Sequence, residues 1–355
     1  MISKESRSQE WIREASERNN APDTGLVEKT IRAFSLLESL ALTGLDFCFK
    51  GGTSLMLHFD SSKRLSIDID IICPPGTDIR EYLRRNAEEY GFTNVEEVDR
   101  RSRTNIPKTH AKYYYEVSYV TRQSREKILL DVLYEDLQYC TVEKRPIRSP
   151  FLLTEGEDVL VKVPSAGDLL GDKLTAFAPH TTGIPFWKGT KNCSMEIVKQ
   201  LFDVASLFDI TNDLSIVSET YARMAKLELE YRNRPDVSLN DILQDTIDAA
   251  LCIASKGKIN EEEYRHYVDG SNRVRGFIHS VKYSIDNALE DAAKTAYLAA
   301  CLKAGVMTPE KYASERNEEL RDLVIEAPAQ SGLGRLKKTN IQSFFYWTKA
   351  LDLLK

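Results

Sequence analysis

The chain has 355 residues, of which 42% are hydrophobic and 29% charged, and its formal net charge is −6. This length favours two domains, and the composition is that of an ordinary globular protein with a sizeable core. The negative net charge argues against a generally basic nucleic-acid-binding protein, although a local basic patch is compatible with it.

The cysteine pattern and the hydropathy exclude several other classes of protein. The six cysteines are scattered without C-x-x-C spacing, so neither a zinc site nor a disulfide framework is predicted. No secretory segment or membrane span is evident, so we expect a cytoplasmic protein that makes no membrane contact.

The first elements in chain order lead to a pair of glycines. Apolar spacing predicts helices over residues 10–18 and 26–42, and residues 47–49 are typical of a short strand. Gly51 and Gly52 then open a helix-like run over residues 53–60. Glycines at a helix start let backbone N–H groups approach phosphate oxygens, and the helix dipole favours an anion. A tight turn without a ligand is the alternative interpretation.

Polar and apolar residues alternate over residues 64–71, which predicts a strand. Arg64, Ser66, Asp68 and Asp70 would share one face, and the isoleucines at 67, 69 and 71 would face a core. Two neighbouring carboxylates repel each other, so a divalent cation with oxygen ligands is the simplest partner for them. The alternative is a half-exposed edge strand whose polar face meets water.

The following segment supplies a third acid. We predict a helix over residues 79–90, a basic stretch within 96–112 that either contacts nucleic acid or is solvated, and strands over 113–120 and 127–134. Asp131 is surrounded by apolar residues in the last strand, where an acid is costly unless it is paired or metal-bound. It is therefore a candidate third metal ligand, with a salt bridge to an arginine as the alternative. Glu135 and Asp136 compete for this role from the strand end.

From residue 165 onward the pattern predicts mainly helices. They cover residues 165–178, 196–208, 239–255, 261–267, 274–304 and 340–354. We therefore expect an α/β domain over residues 1–164 and a helical domain over 165–355, with the active site in the cleft between them. The five histidines lack metal-ligand spacing, and we assign structural roles to all of them.

These motifs resemble a known family. Gly-Gly-Thr-Ser-Leu from Gly51, followed by Arg-x-Ser-x-Asp-x-Asp from Arg64, is similar to the signature of the AbiEii/AbiGii-type nucleotidyltransferase toxins, a branch of the DNA-polymerase-β-like superfamily. The resemblance implies an α/β (α+β) fold: a nucleotidyltransferase lobe with a small mixed sheet, followed by an all-helical lobe. It also implies a third carboxylate on an adjacent strand, which Asp131 would supply.

The resemblance also assigns two residues of the helical half. Lys173 lies in a segment similar to the family's Lys-Leu-x-Ala, where the lysine is implied to meet the triphosphate. Asp203 lies in a segment similar to the family's following acidic helix, whose acid is implied to be essential. From the residues alone, Lys173 could be a solvated helix residue, and Asp203 could pair with Lys199 one helical turn earlier.

Together these features predict transfer of a nucleoside monophosphate from an NTP to an acceptor hydroxyl. Mg²⁺ or Mn²⁺ would be the cofactor, and the resemblance implies a bacterial toxin–antitoxin or phage-defence role. It further implies the tRNA 3′ end as acceptor and a cognate antitoxin encoded nearby as partner. Nucleotidylation of protein hydroxyls and a non-catalytic nucleotide-binding module are the alternatives. The predicted site residues are, for metal, Asp68, Asp70 and Asp131; for phosphates, Gly51, Gly52, Thr53, Ser54, Arg64 and Ser66; and for catalysis, additionally Lys173 and Asp203.

Overall fold

The computed structural model describes residues 1–61, 63–98, 108–118, 124–325 and 331–355. The chain divides into two compact units. The first unit comprises Met1–Ser165 and Gly276–Lys282, and the second comprises Ala166–Arg275 and Tyr283–Lys355. Much of the predicted basic stretch, residues 99–107, lies outside the described residues.

The first unit is built on a mixed sheet. Over the described residues this sheet has seven strands in the order β3-β4-β5-β2-β1-β7-β6. β2 runs parallel to β5, whereas β1 and β2, and β4 and β5, are antiparallel pairs. The predicted mixed α/β fold is confirmed. The strands are β1 (Cys48–Lys50), β2 (Ile69–Cys73), β3 (Asn94–Val98), β4 (Lys108–Glu116), β5 (Arg125–Tyr134), β6 (Val142–Pro146) and β7 (Leu160–Pro164).

The first unit has four α-helices in its described residues, and α2 packs on one face of the sheet. They are α1 (Gln9–Arg18), α2 (Thr24–Ala41), α3 (Gly51–Ser54) and α4 (Arg80–Leu83). Ile69 and Ile71 of β2 and Leu130 and Val132 of β5 are buried in the same core as the apolar face of α2. Because side chains alternate along a strand, Asp70 and Asp131 lie on the opposite face of the sheet.

The predicted strand over residues 64–71 is wrong in its first half, because β2 begins only at Ile69. Arg64 instead forms an isolated bridge with Ile278, and the Leu65 N–H donates to the Phe277 carbonyl at 2.8 Å. The backbone partner of this segment is therefore residues 276–282 rather than the sheet. Ile67 is only half-buried, contrary to the expectation that it faces the core.

The predicted helix over residues 79–90 is also wrong, since α4 has a single turn. Asn86 has a φ of 59°, and this left-handed conformation breaks a right-handed helix. The strand predicted over 113–120 begins earlier, at Lys108, and ends at Glu116. Residues 119 and 120 lie outside the described residues.

Over its described residues, the second unit is helical apart from one small hairpin, β8 (Trp187–Lys188) and β9 (Lys191–Asn192). α10 packs against the other helices through a row of small buried side chains at positions 292, 293, 296, 299 and 300. None of the helices described for this chain is both long and apolar enough to span a membrane. The helices are α5 (Ala166–Ala176), α6 (Ser194–Ile210), α7 (Ser215–Arg232), α8 (Leu239–Ala254), α9 (Glu261–Arg273), α10 (Ile285–Ala304), α11 (Asn317–Asp322), α12 (Leu333–Thr339) and α13 (Ile341–Leu353).

Several helix predictions in this unit differ from the structure: α11 and α12 were not predicted, and the helix predicted over residues 261–267 continues to Arg273. The predicted helix over residues 274–304 begins only at Ile285, because residues 276–282 leave the helical unit and belong to the first unit. α7 was not predicted at all, since polar residues and charges interrupt its apolar stripe. It is nevertheless held against α5, where the Thr220 hydroxyl donates to Asp168 Oδ1 at 2.5 Å.

Candidate active site

The glycine pair forms a turn directly after β1. Gly51 has a φ of 80°, a left-handed conformation that glycine adopts without the steric cost of a Cβ. The Ser54 hydroxyl donates to the Gly51 carbonyl at 2.9 Å and fixes the first turn of α3. The chain therefore turns sharply at Gly51 and continues into a short helix.

Three of the predicted site residues lie directly against these glycines. A Cβ on Gly51 would collide with the carboxylate of Asp70, whose Cγ would be 2.9 Å away. A Cβ on Gly52 would lie 2.7 Å from Arg64 Nη2 and 3.0 Å from Ser66 Oγ. A side chain at Gly51 would displace the Asp70 carboxylate in addition to straining the backbone, whereas one at Gly52 would push aside the flexible end of Arg64.

The side chains of Thr53 and Ser54, two of the predicted phosphate-binding residues, face the protein interior. Both residues are fully buried. The Thr53 hydroxyl donates to the Asp68 carbonyl at 2.6 Å, and that of Ser54 is used within its own turn. Thr53 thus ties α3 to the residue just before β2, and the side chain of Asp68 itself is exposed.

Asp70 and Asp131 are cross-strand neighbours. The parallel register of β2 and β5 pairs Asp70 with Asp131. In-register residues on adjacent strands point to the same face and are about 4.8 Å apart along the sheet. The side chain of Asp131 is 45% exposed, so the expectation that its apolar neighbours enclose it is wrong. Those neighbours, Leu130 and Val132, point to the other face.

A histidine that the sequence analysis treated as structural contacts this acid. His110 on β4 is in register with Asp131, and its Nδ1 lies 2.5 Å from Asp131 Oδ1. On the far side, Lys50 of β1 is in register with Asp70. His110, Asp131, Asp70 and Lys50 therefore form one transverse row over four strands, which we call the carboxylate row. The sequence shows His110 in a strand with alternating polar and apolar residues. Only the pairing register of β4 and β5 shows that it contacts Asp131.

The donor chemistry of this region fits a divalent cation. Asp68, Asp70 and Asp131 offer the carboxylate oxygens that Mg²⁺ and Mn²⁺ prefer, and the Asp70 carboxylate fills the space that a Cβ of Gly51 would take. In the part of the chain that the structure describes, no three His, Cys, Asp or Glu side chains are already spaced to hold a metal. Joint ligation therefore requires side-chain rotation, for which the exposed Asp68 and half-exposed Asp131 have room.

The two predicted residues of the second unit contact each other. Lys173 on α5 places its Nζ 3.2 Å from Asp203 Oδ2 and 3.1 Å from Gln200 Oε1, both on α6. The side chains of Lys173 and Asp203 are 10% and 1% exposed, so Lys173 is not a solvated helix residue. A buried ion pair is costly to break from either side, because the remaining charge stays in a poorly solvated place.

Comparison with known proteins identifies the family. The family model described as nucleotidyl transferase AbiEii toxin, type IV TA system, matches residues 35–291. The chain belongs to the AbiEii nucleotidyltransferase toxin family. The match spans the glycine turn, the carboxylate row and the Lys173–Asp203 pair, and it confirms the predicted family and the nucleotidyltransferase activity of this AbiEii protein.

Solved structures give a more distant likeness. A crystal structure described as a "putative nucleotidyltransferase from H. pylori" is similar to this AbiEii protein at 14% sequence identity and a TM-score of 0.43. The likeness covers 79% of this chain and 94% of that one. No curated protein matches the sequence significantly.

A pocket in the second unit of this AbiEii protein contains none of the predicted residues. It has a volume of about 490 Å³, and its lining includes His180, Asp245, Asp248 and Glu263. His180 Nδ1 lies 2.8 Å from Asp245 Oδ1, and Nε2 lies 3.1 Å from Glu263 Oε1. The hydrogen bond to Asp245 raises the pKa of His180 to about 9. The imidazolium therefore offsets part of the negative charge of the two acids in the pocket wall.

Proposed function

We propose that this AbiEii protein transfers a nucleoside monophosphate from an NTP to the 3′ end of tRNA in a reaction that depends on Mg²⁺ or Mn²⁺. The observation that carries the proposal is the in-register pair Asp70 and Asp131, with Asp70 packed on the Gly51 turn. An acidic pair beside a glycine-led turn can hold a cation on one side of a triphosphate and bind its oxygens on the other.

Asp68, Asp70 and Asp131 would hold the metal ion. When bound, such an ion supplies neutralisation of phosphate charge and activation of the attacking and leaving oxygens. Asp131 would in addition accept the proton of the acceptor hydroxyl, for which its half-exposed carboxylate is reachable. The bond that forms joins the acceptor oxygen to the α-phosphorus, and the bond that breaks releases pyrophosphate.

The glycine turn would bind the β- and γ-phosphates. Backbone N–H groups of Gly51, Gly52, Thr53 and Ser54 would supply the contacts, since the hydroxyls of Thr53 and Ser54 already bind the backbone. Arg64 and Ser66 lie against Gly52 and would complete the phosphate site. An arginine suits this role because its planar guanidinium can donate two parallel hydrogen bonds to one phosphate.

Lys173 would neutralise charge on the leaving pyrophosphate. Asp203 and Gln200 hold its ammonium group, so the cation is oriented before substrate arrives. We propose that the role of Asp203 is to orient Lys173.

The biological setting follows from the family, whose description names a type IV toxin–antitoxin system. We propose a cognate antitoxin as partner, a role in phage defence, and the cytoplasm as the compartment where NTPs and tRNA meet the protein.

The test is incubation with each labelled NTP, Mg²⁺ and total tRNA, followed by separation of RNA from protein. Label on RNA supports the proposal. Label on protein would show that the acceptor is a protein hydroxyl, and NTP binding without transfer would show a non-catalytic module. Asp70→Asn should lower transfer at least about 100-fold, because it removes a negative charge that would hold the metal ion against the phosphates. Asp136→Asn is the matched control, an exposed acid just beyond β5, and should leave transfer unchanged.

A further inference from the structure

Two long strands of the first unit continue well beyond the carboxylate row. β1 ends at the row and β2 begins one residue before it, whereas β4 runs on to Glu116 and β5 begins at Arg125. Residues two apart on a strand share a face, and so do residues paired across strands. The side of β4 and β5 that carries His110 and Asp131 therefore also carries, beyond the row, Lys112, Tyr114, Glu116, Leu129, Lys127 and Arg125. We call these six residues the open face.

A polymer that lies along the strands from Asp131 has access in one direction. In the other direction, Ile72 and Leu133 follow Asp70 and Asp131 on the same face of the sheet, and both are buried. On the open face, by contrast, Lys127 and Arg125 are exposed, and the side chain of Lys112 is 24% exposed. The open face is therefore the accessible continuation of the carboxylate row.

Two cations of the open face keep their charge available. In the described part of the chain, neither Lys127 nor Arg125 has a carboxylate within salt-bridge distance. The Arg125 guanidinium lies over the Tyr114 ring at 4.6 Å from its centroid, and Nη2 donates to Thr93 Oγ1 at 3.3 Å. These contacts orient the guanidinium without neutralising it.

Acids offset part of this charge. Glu96 of β3 places Oε1 3.7 Å from Lys112 Nζ, and the Tyr114 hydroxyl donates to its Oε2 at 2.6 Å. The hydrogen bond from Tyr114 and the nearby Lys112 lower the pKa of Glu96, so this acid is ionised at neutral pH. Glu116 is exposed at the end of β4, opposite Arg125. The surface therefore carries a small positive excess, in a chain whose formal net charge is −6.

These side chains fit a polyanion better than a protein surface. The centre of a protein interface is apolar and depleted of lysine, whereas Leu129 is the one aliphatic side chain of the open face. Lys127 and Arg125 stand two residues apart on one face of one strand, an arrangement that suits successive phosphates of a nucleic acid.

We propose that the open face binds the backbone of the acceptor RNA, with phosphates at Lys127 and Arg125. Lys127 lies four residues and Arg125 six residues from Asp131, which is about 13 and 20 Å along β5 at 3.3 Å per residue. Lys127 and Arg125 are thus positioning residues, remote from the reacting atoms. The identity of the polymer rests on the proposed function, whereas the surface rests on register, exposure and charge within the first unit.

The first test is binding of fluorescently labelled tRNA to the full chain without NTP, measured by anisotropy over a range of salt concentrations. Lys127→Ala and Arg125→Ala should each reduce the slope of log affinity against log salt by about one, because each removes a phosphate contact. In labelled transfer, both variants should raise the KM for tRNA and leave kcat unchanged. Arg13→Ala is the matched control. It removes an exposed cation from α1, which packs against α2, and should change neither quantity.

Glu96→Gln should act in the opposite direction. It removes the acid that pairs with Lys112, while the glutamine oxygen can still accept from Tyr114. Affinity for tRNA should therefore rise, and its dependence on salt should become steeper. A variant that merely damaged the sheet would not strengthen binding, so this result separates charge from folding.

A folded Lys127→Ala, Arg125→Ala double variant that binds tRNA with the natural affinity and salt dependence would overturn the inference. Absence of tRNA binding by the natural protein would do the same. Unchanged tRNA binding together with loss of antitoxin binding would assign the open face to a protein partner, which also overturns it.

Failure of the proposed function is distinguishable from failure of this inference. If the double variant loses tRNA binding while label is transferred to protein, the acceptor proposal fails and the RNA surface stands. If the natural protein and the double variant label tRNA with equal KM, the acceptor proposal stands and the RNA surface fails.

Discussion

His110 determines which oxygen of Asp131 is open to a ligand. A carboxylate can only accept, so the proton of their 2.5 Å hydrogen bond sits on Nδ1 of the imidazole. The bond engages Oδ1, so Oδ2 is the oxygen that would face the metal ion or acceptor hydroxyl in the proposed reaction. Side chains that hold metal ligands in this way set both their orientation and their basicity.

We therefore expect His110→Ala to lower both Mn²⁺ affinity and nucleotidyl transfer about 10- to 100-fold. His110→Asn, whose amide can still donate, should lose less. Mn²⁺ binding, measured by electron paramagnetic resonance on the full chain, is a readout independent of turnover.

Lys112→Ala provides the comparison, since Lys112 lies two residues along β4 on the same face and pairs with Glu96 instead. It should bind Mn²⁺ as the natural protein does. Equal Mn²⁺ affinity of the His110→Ala and Lys112→Ala variants would remove His110 from the site.

At the level of elements, the turn between β1 and α3 depends on glycine for two separable reasons. Gly51 needs a left-handed backbone, and it also needs space for Asp70. Gly44, at the end of the α2 region, has the same φ of 80° but no atom within 4 Å of a built Cβ. An alanine at either position would strain the backbone, but only at Gly51 would its Cβ also collide with Asp70.

Gly51→Ala should therefore abolish most transfer, while Gly44→Ala should leave transfer intact and destabilise the fold by about 1–2 kcal/mol, the cost of a left-handed alanine. Urea unfolding gives the stability of each variant, and labelled transfer gives its activity. Equal activities would show that the approach of Asp70 to the turn is not required.

The sequence correctly predicted that several of the candidate residues lie together, because they are close in the chain. The glycines, Arg64, Ser66 and Asp70 lie within twenty positions and do pack together. The prediction was wrong where the partner is remote. Residues 64–68 leave the sheet because residues 276–282 pair with them. A local sequence pattern cannot indicate a partner more than 200 positions away.

The remaining differences between sequence and structure arise from strand pairing, helix packing and backbone conformation. The alternation in β4 shows which residues share a face, but only the pairing of β4 with β5 brings His110 beside Asp131. Likewise, the sequence of α5 alone makes Lys173 look solvated, and the packing of α6 buries it. The helix predicted over residues 79–90 is shorter than expected, because Asn86 adopts a left-handed backbone conformation. The sequence does not reveal this, since asparagine also adopts right-handed conformations.

At the scale of the whole molecule, protonation of His180 makes the free energy of unfolding depend on pH. The hydrogen bond to Asp245 raises its pKa from 6.5 to about 9 in the folded protein. The folded state therefore keeps the proton more tightly than the unfolded chain. This contribution is fully present below pH 6.5 and is lost as the pH rises through about 9.

We expect the difference in unfolding free energy between the natural protein and His180→Gln to shrink from pH 6.5 to pH 9. The side chain is 50% exposed, so solvent screening keeps the effect small. Urea unfolding of both proteins at several pH values measures it, and Asp245→Asn should reproduce the change. A difference that stays constant over this interval would contradict the assignment of a charged His180.

Residues 276–282 belong to the first unit although most of the second unit precedes them in the chain. They supply the backbone partners of Arg64 and Leu65, and Arg64 lies against Gly52. During synthesis on the ribosome, the glycine turn and both carboxylate strands emerge long before Ile278 does. A nascent or prematurely terminated chain that stops before residue 276 lacks this support for Arg64. Arg64 therefore acquires its backbone partners only once a segment more than 200 positions later in the chain has been synthesised.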